Sequence, residues 1–85
     1  MPDEPVLREK AREAIRCGKM PSRKADRTYG GRGSRVACSV CDELITPNQS
    51  EIVIEFRRAE SGHDDYYLHV RCLAAWEFER TKLLA

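Results

Sequence analysis

Cys38-Ser-Val-Cys41 and His69-Val-Arg-Cys72 are the two stretches of sequence that decide the fold. Each stretch places two metal-ligating residue types three positions apart, and twenty-seven residues separate the two pairs. Thiolates and imidazoles are the preferred ligands of zinc, and structural zinc sites commonly combine two such close pairs into a tetrahedron. The sequence therefore predicts one structural Zn²⁺ ion, bound by Cys38, Cys41, His69 and Cys72.

The composition explains why the domain would need a metal. The chain has 85 residues, of which 41% are hydrophobic and 34% are charged. Ordering a residue costs about 1.5 kcal/mol, and the cores of small domains bury too little apolar surface to offset that easily. A structural zinc contributes on the order of 10 kcal/mol. We therefore predict a single small α+β domain over residues 1–85, stabilised by zinc.

The ligand pattern favours a structural ion over a catalytic one. Four protein ligands close the tetrahedron, whereas a catalytic zinc keeps one position open for water. Zinc deaminases also combine one histidine with two cysteines, but their His-x-Glu motif precedes the cysteine pair, and here the order is reversed and the glutamate is missing. We therefore expect no enzymatic activity and no small-molecule substrate.

Residues 4–17 are predicted to form an amphipathic N-terminal helix. Asp3 is a candidate N-cap, Gly18 suits the left-handed position after the last turn, and Pro21 prevents the helix from resuming. Cys17, at the helix end, is expected to be a partly buried packing residue and not a metal ligand. The apolar stripe consists of four residues: Leu7, Ala11, Ala14 and Ile15.

Residues 19–35 are predicted to form an irregular, basic connector, because they contain few apolar side chains, one proline and three glycines. Tyr29 is its expected anchor. The net charge is +5 over residues 18–36 and −5 over residues 37–66. Such asymmetry is typical either of an anion-binding segment or of ion pairs inside one fold, and both interpretations stay open. The candidate phosphate-binding residues are Arg23, Lys24, Arg27, Arg32 and Arg35.

Residues 36–85 are predicted to form the zinc-binding unit, which includes a β-hairpin. Residues 51–57 and 66–70 are rich in β-branched and aromatic side chains, as is typical of strands. The polar residues 61–65 between them predict a turn, in which His63 and the two aspartates would face solvent without a ligand role. The second strand would deliver His69 to the metal.

A C-terminal helix is predicted over residues 71–84, which contain neither glycine nor proline. It would begin beside Cys72, with Trp76 and Phe78 packed in the core or between the helices. Besides the hairpin, the apolar stripe of the N-terminal helix is the only candidate to cover it. A cysteine knuckle, a hairpin and a helix that supplies the last ligand together predict a treble-clef or zinc-ribbon-like unit.

The ligand spacing resembles that of the zinc fingers of poly(ADP-ribose) polymerases and DNA ligases, and this resemblance implies recognition of DNA breaks. A likeness over most of the chain is to small bacterial zinc-finger-like proteins. It involves the helix segment 7–15, the Asp-Arg-Thr-Tyr-Gly-Gly segment 26–31, the knuckle 38–41 and the His-Val-Arg-Cys-Leu-Ala-Ala-Trp-Glu-Phe-Glu-Arg ending 69–80. That resemblance implies a free-standing zinc-finger-like protein without a settled activity.

Two functional classes therefore stay open. The favoured prediction is a protein-interaction adaptor, because a net charge of +1 opposes strong non-specific affinity for nucleic acid. The alternative is a nucleic-acid-binding finger that contacts phosphates through the basic segment 23–35. Residues 1–4 lack the features of a secretory signal and no long apolar run follows, so we expect a cytoplasmic location without membrane association.

Overall fold

The computed structural model describes residues 3–84, with side chains described for residues 3–82. Met1, Pro2 and Ala85, which the predicted domain includes, lie outside the described residues. Two helices and a three-stranded antiparallel sheet form a small α+β domain. The elements, in chain order, are α1 (Glu4–Arg16), β1 (Arg27–Arg32), β2 (Ser50–Arg57), β3 (His63–His69) and α2 (Val70–Leu84).

Helix α1 follows the sequence prediction but ends one residue earlier than expected. Gly18 adopts the left-handed conformation, with φ of 83°, and ends the helix as a glycine in this position commonly does. Asp3 occupies the N-cap position with extended backbone, yet its side chain accepts no capping hydrogen bond. Cys17 is exposed, which corrects the expectation of partial burial: it is the C-cap residue, and its Sγ lies 3.7 Å from the carbonyl oxygen of Ala14.

The core lies between the two helices and one face of the sheet. Leu7 and Ala11 on α1 are fully buried in the same cluster as Trp76 on α2, so the predicted packing of the two helices is confirmed. Trp76 Nε1 donates a hydrogen bond to the carbonyl oxygen of Pro21 at 2.9 Å, and the ring meets Phe56 of β2 edge-on at 6.0 Å. Through these two contacts Trp76 links the helix pair to the sheet and to the segment that follows α1.

Phe78 of α2 lies outside the core and packs between the helices, which is the second of the two positions predicted for it. It is 45% exposed, two positions from Trp76 and therefore on another face of the helix. The guanidinium group of Arg8 lies 4.2 Å from the centre of its ring. On this outer face of the helix pair, Phe78 packs against a cation instead of the apolar core.

Strand β1 corrects the prediction that residues 19–35 are irregular. Residues Arg27–Arg32 pair with β2 in antiparallel register, with Tyr29 opposite Val53. Every residue of β1 is exposed, so the strand shows no apolar alternation from which it could be recognised. Tyr29 is 46% exposed and does not anchor the segment; Met20, which is 1% exposed, does.

The hairpin turn is also placed differently from the prediction. Residues His63–Asp65 belong to strand β3, and the turn spans residues 58–62. Gly62 takes φ of 81°, a conformation that glycine adopts without strain, and its carbonyl oxygen accepts a hydrogen bond from Arg58 N at 3.2 Å. The strand thus starts directly after the glycine, and Arg57 lies opposite His63.

Candidate metal centre

The first ligand pair lies in a tight knuckle between β1 and β2. The backbone N–H of Asp42 donates to the carbonyl oxygen of Cys38 at 2.9 Å, and the N–H of Cys38 donates to Glu43 at 2.9 Å. Asp42 takes the left-handed conformation, with φ of 66°, which aspartate tolerates better than most residues. The N–H of Ser39 donates to the carbonyl oxygen of Tyr67 at 2.8 Å, so the knuckle is fixed against β3.

The second pair lies at the junction of β3 and α2. His69 is the last residue of β3, and Cys72 is the third residue of α2. Because the helix begins directly after the strand, its first turn carries the cysteine back toward the histidine. All four predicted ligands come together and are buried, with exposed fractions of at most 4%: Cys38, Cys41, His69 and Cys72.

The geometry of this cluster fits a tetrahedral metal ion. Its four ligand atoms lie within 4.8 Å of one another. His69 Nδ1 lies 3.4 Å from the sulfur of Cys41 and 3.8 Å from that of Cys72. Zinc–sulfur bonds of about 2.3 Å and zinc–nitrogen bonds of about 2.05 Å, at tetrahedral angles, require a sulfur–nitrogen distance of about 3.6 Å. The two observed distances bracket this value, so the cluster can hold a metal ion.

The orientation of the imidazole is set from outside the cluster. His69 Nε2 lies 3.3 Å from the carbonyl oxygen of Leu44, which is a suitable acceptor for an Nε2–H donor. Metal-binding histidines commonly donate their second ring nitrogen in this way, and the contact leaves Nδ1 free of a proton for the ion. The loop after the knuckle therefore supports the histidine as well as the two cysteines.

Proximity makes the three thiols unequal. A hydrogen bond from the Cys72 thiol lowers the pKa of Cys38 to about 4, while the same contact, together with burial, raises the pKa of Cys72. Burial also raises the pKa of Cys41. Without a metal ion, one of the three crowded thiols is therefore ionised in preference to the other two, and a divalent cation at their centre would stabilise all three as thiolates. The cluster is therefore matched to a cation that binds sulfur.

Two of the basic residues proposed for phosphate binding contact acidic side chains of the same fold. Arg23 donates to Asp26 at 3.2 Å and to the carbonyl oxygen of Arg57 at 3.0 Å. Arg27 Nε lies 3.8 Å from Glu55. These two arginines are engaged within the fold, as the interpretation by internal ion pairs predicts.

The other three candidates, Lys24, Arg32 and Arg35, are exposed and form no ion pair with the acidic residues among residues 3–82. Arg27 and Arg32 are the two end residues of β1, which a rise of about 3.4 Å per residue places roughly 17 Å apart. Two of the five candidates thus lie at opposite ends of the edge strand.

Comparisons of the chain with protein-family models, with curated proteins and with solved structures give no match. None of the helices in residues 3–84 is both long and apolar enough to span a lipid bilayer. The assignment of this cluster as a metal centre therefore depends on its donor set and its geometry.

Proposed function

We propose that the chain is a non-enzymatic binding module, in which one structural zinc ion stabilises a treble-clef or zinc-ribbon-like unit and the free edge of strand β1 binds a protein partner. The observation that carries the adaptor function is the edge strand itself: within residues 3–84, β1 pairs with β2 on one side only, and all six residues of β1 are exposed.

Zinc is the proposed ion because of the donor set. Three thiolates and one imidazole suit a borderline-soft cation, and four buried protein ligands leave no position for a catalytic water. A cytoplasmic location would keep the three cysteines reduced and available to the metal. The order of knuckle, strands and helix, with the last ligand in the first turn of α2, supports the treble-clef or zinc-ribbon-like assignment.

Metal content tests the zinc assignment directly. Native mass spectrometry of protein purified under reducing conditions without chelator should show one zinc ion per chain. Cys41→Ser should lose that ion, whereas Cys17→Ser, which changes an exposed cysteine outside the cluster, should keep it. A folded wild-type protein without metal, or a Cys41→Ser variant with full zinc content, would contradict the assignment.

The free edge of β1 offers backbone groups for strand addition. An unpaired edge strand presents alternating N–H and C=O groups that an extended peptide can pair with. Gly33, directly after β1, donates its N–H to the carbonyl oxygen of Gln49, directly before β2, and the direction of these groups alternates along a strand. The N–H groups of Thr28 and Gly30 therefore point to the free edge, and Tyr29 adds an exposed aromatic side chain of the type enriched at interfaces.

Thr28 gives a specific test of the edge. Proline is tolerated on an edge strand when its missing N–H faces away from the sheet, so Thr28→Pro should remove one donor from the free edge and preserve the β1–β2 pairing. Thr28→Val is the matched control, because it retains the N–H and the shape of the side chain. Both variants should bind one zinc ion and melt close to the wild type.

Affinity capture with these three proteins, in the zinc-loaded form, would identify the partner by quantitative mass spectrometry. We expect a protein that the wild type and Thr28→Val retain equally and that Thr28→Pro loses, and the purified pair should reproduce the difference. Equal retention of every captured protein by Thr28→Pro and Thr28→Val would refute binding through the edge.

Nucleic-acid binding is the second candidate. It is favoured by three exposed basic residues that form no ion pair within residues 3–82: Lys24, Arg32 and Arg35. Three phosphate contacts on duplex DNA predict a slope of log affinity against log salt of about −2.7. Titrations with duplex, nicked and single-stranded DNA and with RNA would test it. Absence of binding to all four at about 50 mM salt, where electrostatic attraction is still strong, would exclude this candidate.

A further inference from the structure

A second group of metal-ligating side chains lies on the sheet, away from the cysteine cluster. Glu55 of β2 lies opposite Asp65 of β3, and His63 is two residues from Asp65 on the same strand. Side chains alternate between the faces of a sheet, so these three share the face opposite to that of Ile54, which is buried in the core. Their ligand atoms all lie within 4.8 Å of one another.

Glu55 is the unusual member of this group. Its side chain is only 10% exposed, yet its carboxylate accepts no hydrogen bond from residues 3–82. The nearest cationic atoms are His63 Nδ1, 3.5 Å from Oε1, and Arg27 Nε, 3.8 Å from Oε2. A cation at Oε1 would give this largely buried carboxylate a closer partner than either of these two groups.

We propose that Glu55, His63 and Asp65 form a second metal site, which binds a first-row divalent cation through Glu55 Oε1, His63 Nδ1 and Asp65 Oδ1. One imidazole and two carboxylates suit cations such as Mn²⁺, Co²⁺ or Zn²⁺. The two carboxylates also balance the charge of the ion. Nothing in this site depends on the proposed adaptor function.

The distances within the group fit this assignment. His63 Nδ1 lies 2.9 Å from Asp65 Oδ1 and 3.5 Å from Glu55 Oε1. Metal–ligand bonds of about 2.1 Å separate neighbouring ligands by about 3.0 Å in an octahedral site and about 3.4 Å in a tetrahedral one. The two distances from the imidazole therefore match the spacing of ligands around a single ion, and the two carboxylate oxygens lie within 4.8 Å of each other. The exposed position of His63 leaves the remaining coordination positions to water.

Arg27 distinguishes a metal site from a simple ion-pair cluster. Its guanidinium approaches Glu55 Oε2, the oxygen that the proposed ion does not use, and its positive charge opposes that of an ion at Oε1. Arg27→Gln should therefore strengthen cation binding several-fold. If the three residues only form an ion pair with protonated His63, the same substitution should have no effect on metal affinity.

Mn²⁺ is a suitable probe for the zinc-loaded protein. It is the weakest of these cations for soft donors and prefers oxygen ligands, so it should not displace zinc from three thiolates. Paramagnetic broadening of amide NMR signals should be strongest at residues 55 and 63–65 and should saturate as Mn²⁺ is added. Native mass spectrometry with excess Zn²⁺ should show a second bound ion on the wild type.

The variants use exposed or half-buried positions, so folding should be preserved. His63→Asn and Asp65→Asn should each weaken Mn²⁺ binding at least about tenfold, since loss of even an outer partner of a ligand commonly has that effect. Asp64→Asn is the matched control. It removes the same charge from the neighbouring residue, whose side chain pairs with Arg58 at 2.9 Å on the other face, and it should bind Mn²⁺ as the wild type does.

Equal affinities of Asp65→Asn and Asp64→Asn would overturn the proposal, because they would show that Mn²⁺ responds only to the general negative charge of the surface. Wild-type affinity in His63→Asn would overturn it too, because the imidazole would then not be a ligand. Broadening spread evenly over all exposed carboxylates, or no second zinc ion on the wild type, would overturn it as well. Unchanged affinity in Arg27→Gln would favour the ion-pair explanation instead.

Discussion

Replacement of Leu7 by alanine measures how strongly α1 is packed on α2. Leu7 is fully buried in the cluster that contains Trp76. The substitution removes three carbon atoms from the core, which at about 0.8 kcal/mol each gives about 2.4 kcal/mol of lost burial. The cavity left behind adds to this, and measured Leu→Ala changes in cores fall at about 2–5 kcal/mol. We expect the free energy of unfolding to fall by about 3 kcal/mol.

Val6→Ala is the matched control for this experiment, because Val6 is the preceding residue of α1 and is 42% exposed. Its effect should stay below about 1 kcal/mol. In a domain of this size 1 kcal/mol shifts the melting temperature by about 4–8 °C, so Leu7→Ala should melt at least about 12 °C below the wild type. Thermal unfolding of zinc-loaded proteins, followed by circular dichroism, would measure both. Equal melting of the two variants would refute the packing of α1 on α2.

Two glycines give further predictions, with Gly31→Ala as the shared control because a Cβ there meets nothing within 4 Å. Gly33→Ala would place its Cβ against the backbone carbonyl of Thr46, so the loop leading to the knuckle must move; we expect a large loss of stability and weaker zinc retention, measured by urea unfolding and chelator competition. Gly18→Ala should reduce stability by about 1–2 kcal/mol, because φ at this position is 83°, and should leave zinc affinity unchanged. Wild-type stability in either variant would contradict the corresponding backbone argument.

The parts of the fold that follow from local sequence are those that the sequence predicted. The stripe containing Leu7 and Ala11 repeats with helical spacing, and Gly18 marks the end of α1 by its own conformational preference. The spacings of the two close ligand pairs are typical of residues that bind one shared metal ion. These signals are complete within a few residues each, so no knowledge of the rest of the chain is needed to interpret them.

Strand β1 could not be predicted in the same way, because it forms by pairing with β2, which is distant in the sequence. β1 pairs with β2 through backbone groups. The side chains of Arg27–Arg32 are all exposed, so they show no pattern of apolar residues that would indicate a strand. β2 itself is recognisable by its β-branched residues, but the sequence does not specify which segment covers its second edge. A composition rich in glycine and arginine is compatible with both a loop and an edge strand.

The position of the hairpin turn explains why the second cluster was missed. The sequence interpretation placed His63 and Asp65 in a flexible turn, where their side chains would have no fixed neighbours. In the structure Gly62 completes the turn, and both residues lie on β3 facing Glu55. β3 therefore starts three residues earlier than predicted, and this difference places His63 and Asp65 on the strand instead of in a solvated loop. Single glycines between polar residues are the signal that would have found it.

The cysteine cluster and the free edge of β1 lie on opposite sides of the sheet, and this separation determines how zinc would affect partner binding. His69 lies on β3, at one margin of the sheet, and β1 forms the other margin, about 10 Å away across β2. An ion at the cysteine cluster therefore supports the edge through the fold and does not contact a peptide added to it. Removal of zinc with a chelator should then abolish partner binding and the ordered sheet together, with one midpoint when both are measured in the same titration. Loss of partner binding at a chelator concentration that leaves the sheet intact would show instead that the partner contacts the metal centre directly.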